Sequence, residues 1–316
     1  MNRVLVTGGA GFVGIPTVDA FIERGNEVVV LDSFGVAPRD RIATLHQRGV
    51  TVAEVDLRDR AATIAAIADI RPTTIVHLAA LHFIPYCIAN PAEALAVNVL
   101  GTQHVLDAVR EINGVDVLGF ASTADVYKPD VVPHHEGSTM WSDNVYGQSK
   151  LIGEELIAIA QKQGLIGRSV ITRFFNVVGP GETNAHLVPD ILTYLEQGDV
   201  LPLGATDTKR DYVYTYDVAQ VVASLVTEAP TDRVTVNVGT GSSFDAKEIV
   251  TTLAELTGRN LRIDSDPAKV RKSDRPNLQA DITALQALLP DFSPTPLAVS
   301  LHAALAERGL IGTRAA

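Results

Sequence analysis

Cysteine and tryptophan each occur once in 316 residues, methionine twice, and aromatic side chains make up only 5% of the chain. A single thiol, Cys87, excludes a disulfide framework and a cysteine-rich metal centre. No metal is therefore expected, and Cys87 reads as core packing. Basic residues are also scarce: 26 Lys and Arg against 37 Asp and Glu leave a net charge of −11. That balance speaks against a nucleic-acid or anionic-membrane surface, so any phosphate must be held by a local pocket. No apolar run approaches the ~20 residues that span a bilayer. The opening MNRVLVTGG carries no basic, apolar and small-residue leader pattern, and a cytoplasmic protein is the expectation. What remains, 46% hydrophobic and 20% charged, is an ordinary globular composition, with length enough for two lobes.

Short β-branched runs alternate with amphipathic segments through the first two-thirds of the chain. Val4–Thr7, Glu27–Asp32, Val50–Glu54, Thr74–Leu78, Val115–Ser122 and Arg168–Phe174 read as strands. Gly14–Arg24, Arg39–Gln47, Ala61–Ile70, Ala92–Glu111 and Val145–Gln163 read as helices. This alternation predicts an α/β protein with a parallel sheet and helices on both faces; right-handed crossovers make it the doubly wound Rossmann arrangement. After Asn176 the chain becomes turn-rich at Gly179–Glu182, Gly198–Asp211 and Thr227–Asp232, with Thr235–Val238 as a strand returning to the sheet. The expected division is a dinucleotide-binding domain over 1–176, with return segments at about 212–243. A smaller C-terminal substrate-binding lobe would come from 177–211 and 244–316.

The first strand runs into TGGAGFVG, which sets Gly8, Gly11 and Gly14 at three-residue spacing around Phe12 and Val13. Between a strand and a helix, such glycines permit a tight turn, close approach of backbone to a pyrophosphate, and close helix–strand packing. The helix N-terminus adds N–H donors and a favourable dipole. Asp32, followed by Ser33, closes the second strand 18 residues after Gly14. A carboxylate there accepts both ribose hydroxyls and repels a 2′-phosphate. No arginine follows immediately, so NAD is expected rather than NADP. As plain structure the glycines would be a turn and Asp32 a cap; their joint position favours the cofactor.

YGQSK places Tyr146 and Lys150 four residues apart at the start of a long helix, on one face. A nearby ammonium lowers a phenol's pKa and makes it a usable base near neutrality. Alone, that spacing is common on solvated helix faces. Here it follows a nucleotide turn, an acidic strand end and a Ser-Thr strand end, in that order. Over about residues 3–308 the chain resembles the extended short-chain dehydrogenase/reductases, specifically the nucleotide-sugar epimerases and dehydratases. The resemblance implies further contacts. Asp56 and Leu57 would touch adenine, and Leu78, Ala79 and Ala80 of HLAA would let the dinucleotide pass. His82, Asn98, Ser122 and Phe174, the last beside the nicotinamide, would line the rest of the cofactor site. Asn176, Leu187, Val188, Arg210, Arg271, Asp274 and Leu278 would hold the nucleotide-sugar substrate. The arginines would act through charge-assisted bonds to its diphosphate. A homodimer joined by Ala92–Glu111 and Val145–Gln163 in a four-helix interface is also implied. The apolar spacing of Leu151 and Leu156 would serve equally for packing on the sheet.

The common step that the resemblance implies is oxidation of the sugar at C4. Tyr146 takes the 4-hydroxyl proton with help from the Thr123 hydroxyl, Lys150 holds the nicotinamide ribose, and hydride passes to NAD. An epimerase then lets the 4-keto sugar turn over and needs no further acid or base. A 4,6-dehydratase needs a base for C5 and an acid for the 6-hydroxyl, and typically reads Thr-Asp-Glu. This chain reads Thr123-Ala124-Asp125. The first carboxylate is a methyl, and the second is a methylene shorter, losing more than ~1 Å of reach. The expectation is a 4-epimerase of a nucleotide-activated hexose, with UDP as the default nucleotide. GPGETNAHLVP lacks the arginine usual for a uronate. A dehydratase, or a UDP-uronate decarboxylase or epimerase, using Asp125 is the alternative. A reductase or a non-catalytic NAD sensor is disfavoured, because Thr123, Tyr146 and Lys150 are all retained.

Overall fold

The computed structural model describes residues 2–204, 206–266 and 275–312. Six apolar runs form strands β1 (Arg3–Thr7), β2 (Glu27–Asp32), β3 (Thr51–Glu54), β4 (Thr74–His77), β5 (Val115–Thr123) and β6 (Ile166–Phe174). Four short strands follow: β7 (Asn176–Val178), β8 (Val200–Leu203), β9 (Lys209–Arg210) and β10 (Tyr212–Tyr214). Then β11 (Arg233–Val238) returns to complete a seven-stranded sheet of order β11-β6-β5-β4-β1-β2-β3. β1 pairs in parallel with β2 and β4, as do β2 with β3, β4 with β5, and β5 with β6. The central strands are buried along nearly their whole length, as continuous apolar runs without alternation require. Strand order reverses between β1 and β4, so their C-terminal ends flank the crevice in which such sheets take a ligand.

Helices α1 (Gly14–Glu23), α2 (Arg41–Gln47), α3 (Arg60–Ile70), α4 (Ile84–Ala89), α5 (Pro91–Leu95), α6 (Gly101–Glu111) and α7 (Val145–Lys162) fill the connections. The helix expected over 92–111 is not uniform. A π turn at Ala96–Leu100 joins α5 to α6 and turns Asn98 into the interior. There the Asn98 amide is fully used: Oδ1 accepts from Leu81 N at 2.8 Å, and Nδ2 donates to Leu81 O and to Ser149 Oγ, both at 2.9 Å. The wider turn thus clamps the segment after β4 to α7, a use typical of π bulges.

Two compact units divide the chain. One comprises 1–128, 138–174 and 218–236; the other comprises 129–137, 175–217 and 237–316. The break after Phe174 lies beside the expected one after Asn176, whereas Pro129–Gly137 goes with the second unit. The first unit's core includes Leu5, Leu31, Ile75, Leu118, Phe120 and Ile157. The second has its own, around Ile191, Leu201, Ile249, Leu253 and Leu301. Each such side chain contributes about 1.5–3 kcal/mol when fully buried. In the second unit β8 pairs with β12 (Arg262–Ser265), and β9 with β13 (Asn277–Leu278). These pairings explain why Gly198–Asp211, expected as turns, holds strands: the partners lie some 60 residues onward, beyond any local signal. α8 (Leu187–Leu195), α9 (Thr215–Glu228), α10 (Ala246–Thr257), α11 (Thr283–Leu288) and α12 (Leu297–Glu307) complete the described elements. Among the described residues no helix is long and apolar enough to cross a membrane.

One close approach positions the chemistry. Asn144 caps α7 by accepting from Gly147 N at 2.9 Å. A Cβ on Gly147 would lie 2.4 Å from the Asp125 carbonyl oxygen, and one on Gly153 would lie 2.6 Å from the Phe120 ring. Only glycine at these two places lets the first turns of α7 sit directly on the end of β5.

Candidate active site

At the end of β1 the backbone turns at Gly8, whose φ is +70°. A Cβ there would meet Ala79 N at 2.7 Å, and a Cβ on Gly14 would meet Gly8 O at 2.2 Å. The cradle therefore exists only because these side chains are missing. Phe12 and Val13 complete the turn, and α1 begins with neither a side-chain cap nor an acidic residue in its first turn. Its N-terminal amides and dipole stand ready for an anion. Asp32 is fixed at the end of β2 by accepting from Ala10 N at 3.1 Å and Phe34 N at 2.9 Å. Burial raises its pKa, and those amides oppose the rise. Ser33, beside it, is exposed and accepts from Gly35 N. These residues fit a dinucleotide, with phosphates at the glycine turn and a ribose at Asp32.

The other expected cofactor residues hold varied positions. The Asp56 carboxylate is gripped by Arg58, whose Nη2 donates at 2.6 Å, and that bond leads in lowering its pKa. Leu57 is buried in the core, with its carbonyl 2.7 Å from His104 Nδ1. Leu78, Ala79, Ala80 and His82 follow β4, all partly exposed. Beneath them lies a polar chain that the sequence reading missed. His77, fully buried, has Nδ1 at 2.6 Å from Thr7 Oγ1 and Nε2 at 3.0 Å from Thr102 Oγ1. Thr102 donates to Asn98 O, and Thr7 accepts from Ala79 N. Thr102 has spent its proton, so Nε2 donates to it; burial keeps the ring neutral, and Nδ1 therefore accepts from Thr7. Burial, and then Lys150, hold its pKa at about 3. The His in HLAA was the available signal.

Thr123 ends β5, buried, with Oγ1 accepting from Asp125 N at 3.2 Å and lying 3.5 Å from Asp125 Oδ2. Its hydroxyl also acts on the phenol of Tyr146, lowering that group's pKa. Lys150 is buried one turn along α7, its Nζ 4.8 Å from the centroid of the Phe120 ring. Tyr146 and Lys150 thus stand one turn apart on α7, with Thr123 acting on Tyr146 from the end of β5. Their proton affinities depart from expectation. The Tyr146 pKa is raised, first by burial and then by the Asp125 carboxylate, against which the Thr123 bond lowers it. Burial pulls Lys150 down to about 7, opposed by Cys87 and Glu154. Sequence spacing supplied the ammonium but not the desolvation, which leads at both groups. Ser122, expected at the cofactor, turns its hydroxyl inward to Glu154. Phe174 ends β6, part-buried.

The residues expected for the nucleotide sugar belong to the second unit. Asn176 N donates to Asp211 O at 3.0 Å. Arg210 pairs in register with Leu278, and its Nη1 donates to Lys209 O and Arg275 O, each at 2.8 Å. Leu278 is buried, and Leu187 and Val188 open α8. Arg271 and Asp274 lie outside the described residues. Asp211, which the sequence reading passed over, is the hub of this unit. Its carboxylate accepts from Thr240 N and Oγ1, Gly241 N and Ala280 N.

A sheet of this order, with a glycine cradle, a strand-end acid and a Thr-Tyr-Lys set, defines a dinucleotide-dependent enzyme of the short-chain dehydrogenase class. Residues 4–239 match the model of the NAD dependent epimerase/dehydratase family. A UDP-glucose 4-epimerase of Corynebacterium glutamicum is 30% identical over 84% of this chain and 84% of its own. The UDP-glucose 4-epimerase from Brucella ovis, in complex with NAD, matches with a TM-score of 0.86 at 29% identity, covering 98% of this chain and 99% of that one. The Thermotoga maritima UDP-glucose 4-epimerase with UDP-glucose gives 0.87 at 26% identity, covering 97% and 98%. The chain belongs to the NAD dependent epimerase/dehydratase family.

Asp125 is the anion that raises Tyr146, so removing its charge lowers the phenol's pKa. Were Tyr146 the base, the ascending limb of the pH profile of kcat/KM should move to lower pH in Asp125→Asn, with turnover kept. An unmoved limb contradicts this electrostatic account.

Proposed function

We propose that the chain is an NAD-dependent 4-epimerase acting on a UDP-activated neutral hexose, such as the UDP-glucose/UDP-galactose pair, through a transient 4-keto sugar. The observation that carries this reading is the end of β5. The Thr123 hydroxyl at the strand end lowers the proton affinity of Tyr146, while the next position, Ala124, offers only a buried methyl. The parts for moving one proton at the 4-hydroxyl are present. The parts for expelling water at C6 are not, since one carboxylate cannot supply both acid and base at once.

In this mechanism Tyr146 takes the 4-hydroxyl proton and later returns it, and the Thr123 hydroxyl favours the phenolate. Lys150 would hold the nicotinamide ribose, Asp32 the adenosine ribose, and the turn from Gly8 to Gly14 the pyrophosphate. NAD, when bound, supplies the two-electron acceptor that makes oxidation and re-reduction at C4 possible. In the second unit Asn176, Arg210, Leu187, Val188 and Leu278 would hold the UDP-sugar, together with Arg271 and Asp274. A second reading, a dehydratase or a uronate decarboxylase or epimerase, draws support from the 3.5 Å approach of Asp125 to Thr123. Against it stands the short reach of an aspartate.

The working form is a homodimer in the cytoplasm. Support for the dimer comes from Leu100 and Ile159, which leave 53% and 54% of their surface exposed on the π turn and α7. A second copy would cover them in a four-helix interface. Leu100→Glu/Ile159→Glu should then run as a monomer in light scattering; an unchanged particle mass rejects this face as the interface.

The activity is tested by incubating the protein and NAD with UDP-, GDP- and dTDP-hexoses and uronates, and identifying the products by NMR. A UDP-sugar inverted at C4 is expected, with Tyr146→Phe slower by at least about 10³-fold, as for loss of an acid–base group. A 4-keto-6-deoxy sugar or a pentose as the product contradicts the proposal.

A further inference from the structure

Behind the catalytic residues lies an ion pair that the reaction as described does not use. Glu154 stands on α7 one turn beyond Lys150, and Arg173 stands on β6 directly before Phe174; their side chains are 8% and 4% exposed. Arg173 Nε and Nη2 donate to the two carboxylate oxygens at 3.0 and 2.7 Å, a bidentate grip. Ser122, the neighbour of Thr123, donates its hydroxyl to the same carboxylate. Arg173 Nη1 donates to Tyr127 Oη at 2.9 Å, with the guanidinium 5.0 Å from that ring's centroid. One carboxylate thus ties together the three elements that carry Thr123, the Tyr146–Lys150 pair and Phe174.

Stability alone does not explain such a device. Burying two charges is costly, and well-packed apolar residues often hold a core equally well. Its placement answers to another need. We propose that Glu154, gripped by Arg173, is a positioning residue for the redox site. It fixes the Thr123 strand end against α7 and sets a negative charge one turn from Lys150, keeping that ammonium formed in an enclosed site. The inference rests on the reading of Thr123, Tyr146 and Lys150 as the catalytic set.

The neighbours of Lys150 bear this out. On α7 it is Glu154; from α4 comes Cys87, from β4 His77, and from β5 the Phe120 ring. Asp125 acts on Tyr146. His77 is neutral, and burial pushes the Cys87 thiol up, away from its anion. The arginine-bound carboxylate of Glu154 is the anion left to oppose the desolvation of Lys150.

The test titrates Lys150 through its ¹³Cε NMR signal in the full chain, beside thermal melting and steady-state kinetics with UDP-glucose. Glu154→Gln strands the Arg173 charge in the core and risks unfolding. Glu154→Gln/Arg173→Gln removes both charges while keeping amide hydrogen bonds. In the folded double variant the Lys150 midpoint should fall by about one pH unit. Its kcat should fall about tenfold with KM little changed, as for a lost transition-state interaction. Glu154→Asp, which keeps the charge, should return the midpoint to that of the parent. A Lys150 midpoint unmoved in the folded double variant overturns the proposal. The titration needs no substrate. A shifted midpoint in a protein inactive on every UDP-sugar therefore supports the role of Glu154 and rejects only the epimerase reading.

Discussion

In the proposed mechanism Tyr146 and Lys150 exchange and hold protons where burial disfavours their charged forms, and the rest of the site is arranged around that constraint. Burial drives the two groups in opposite directions, raising the phenol and lowering the amine. Each charged form therefore needs its own partner. In the account proposed above, Thr123 supplies one for the phenolate, and the charge of Glu154, one helical turn away, supplies one for the ammonium. Both partners depend on the seat of α7 upon β5, which two glycines make close enough for hydrogen bonds between strand end and helix. A shift of an ångström would separate the pair, and positioning of this kind is worth orders of magnitude in rate.

The same close fit recurs at the cofactor end. Gly8 and Gly14 remove the side chains that would fill the cradle. The Thr7–His77–Thr102–Asn98 chain then locks β1, β4 and the π turn to one another beneath it. Because His77 is neutral and fully bonded, this support does not change charge in the range where Tyr146 and Lys150 act. In the second unit Asp211 plays the corresponding part, gathering separate loops onto one buried carboxylate.

Much of this was legible in the sequence, and the failures have physical causes. The alternation of strands and helices was readable because parallel strands buried on both faces are continuous apolar runs. The glycine turn, Asp32 and the Tyr146–Lys150 spacing were readable because their chemistry depends on local spacing. The π turn was not, since an extra residue per turn leaves no periodic mark. Strands β8 and β9 were read as turns because their partners come from far along the chain. The pKa of Tyr146 was misjudged in sign because a sequence names neighbours and not the water they exclude. Glu154 carried no signal in the sequence for the same reason: only the fold places Arg173 and Ser122 against it.

Thr123, Ala124 and Asp125 decide which chemistry follows the oxidation at C4. If the site only moves a proton at the 4-hydroxyl, the hydrogen taken from C4 returns to the same carbon, and nothing at C5 is touched. Carrying out the reaction on UDP-glucose in D₂O tests this most directly. The account predicts a C4-inverted sugar with no deuterium at C4 or C5. Deuterium at C5 would mean that Asp125, or another base, removes that proton, and would contradict it.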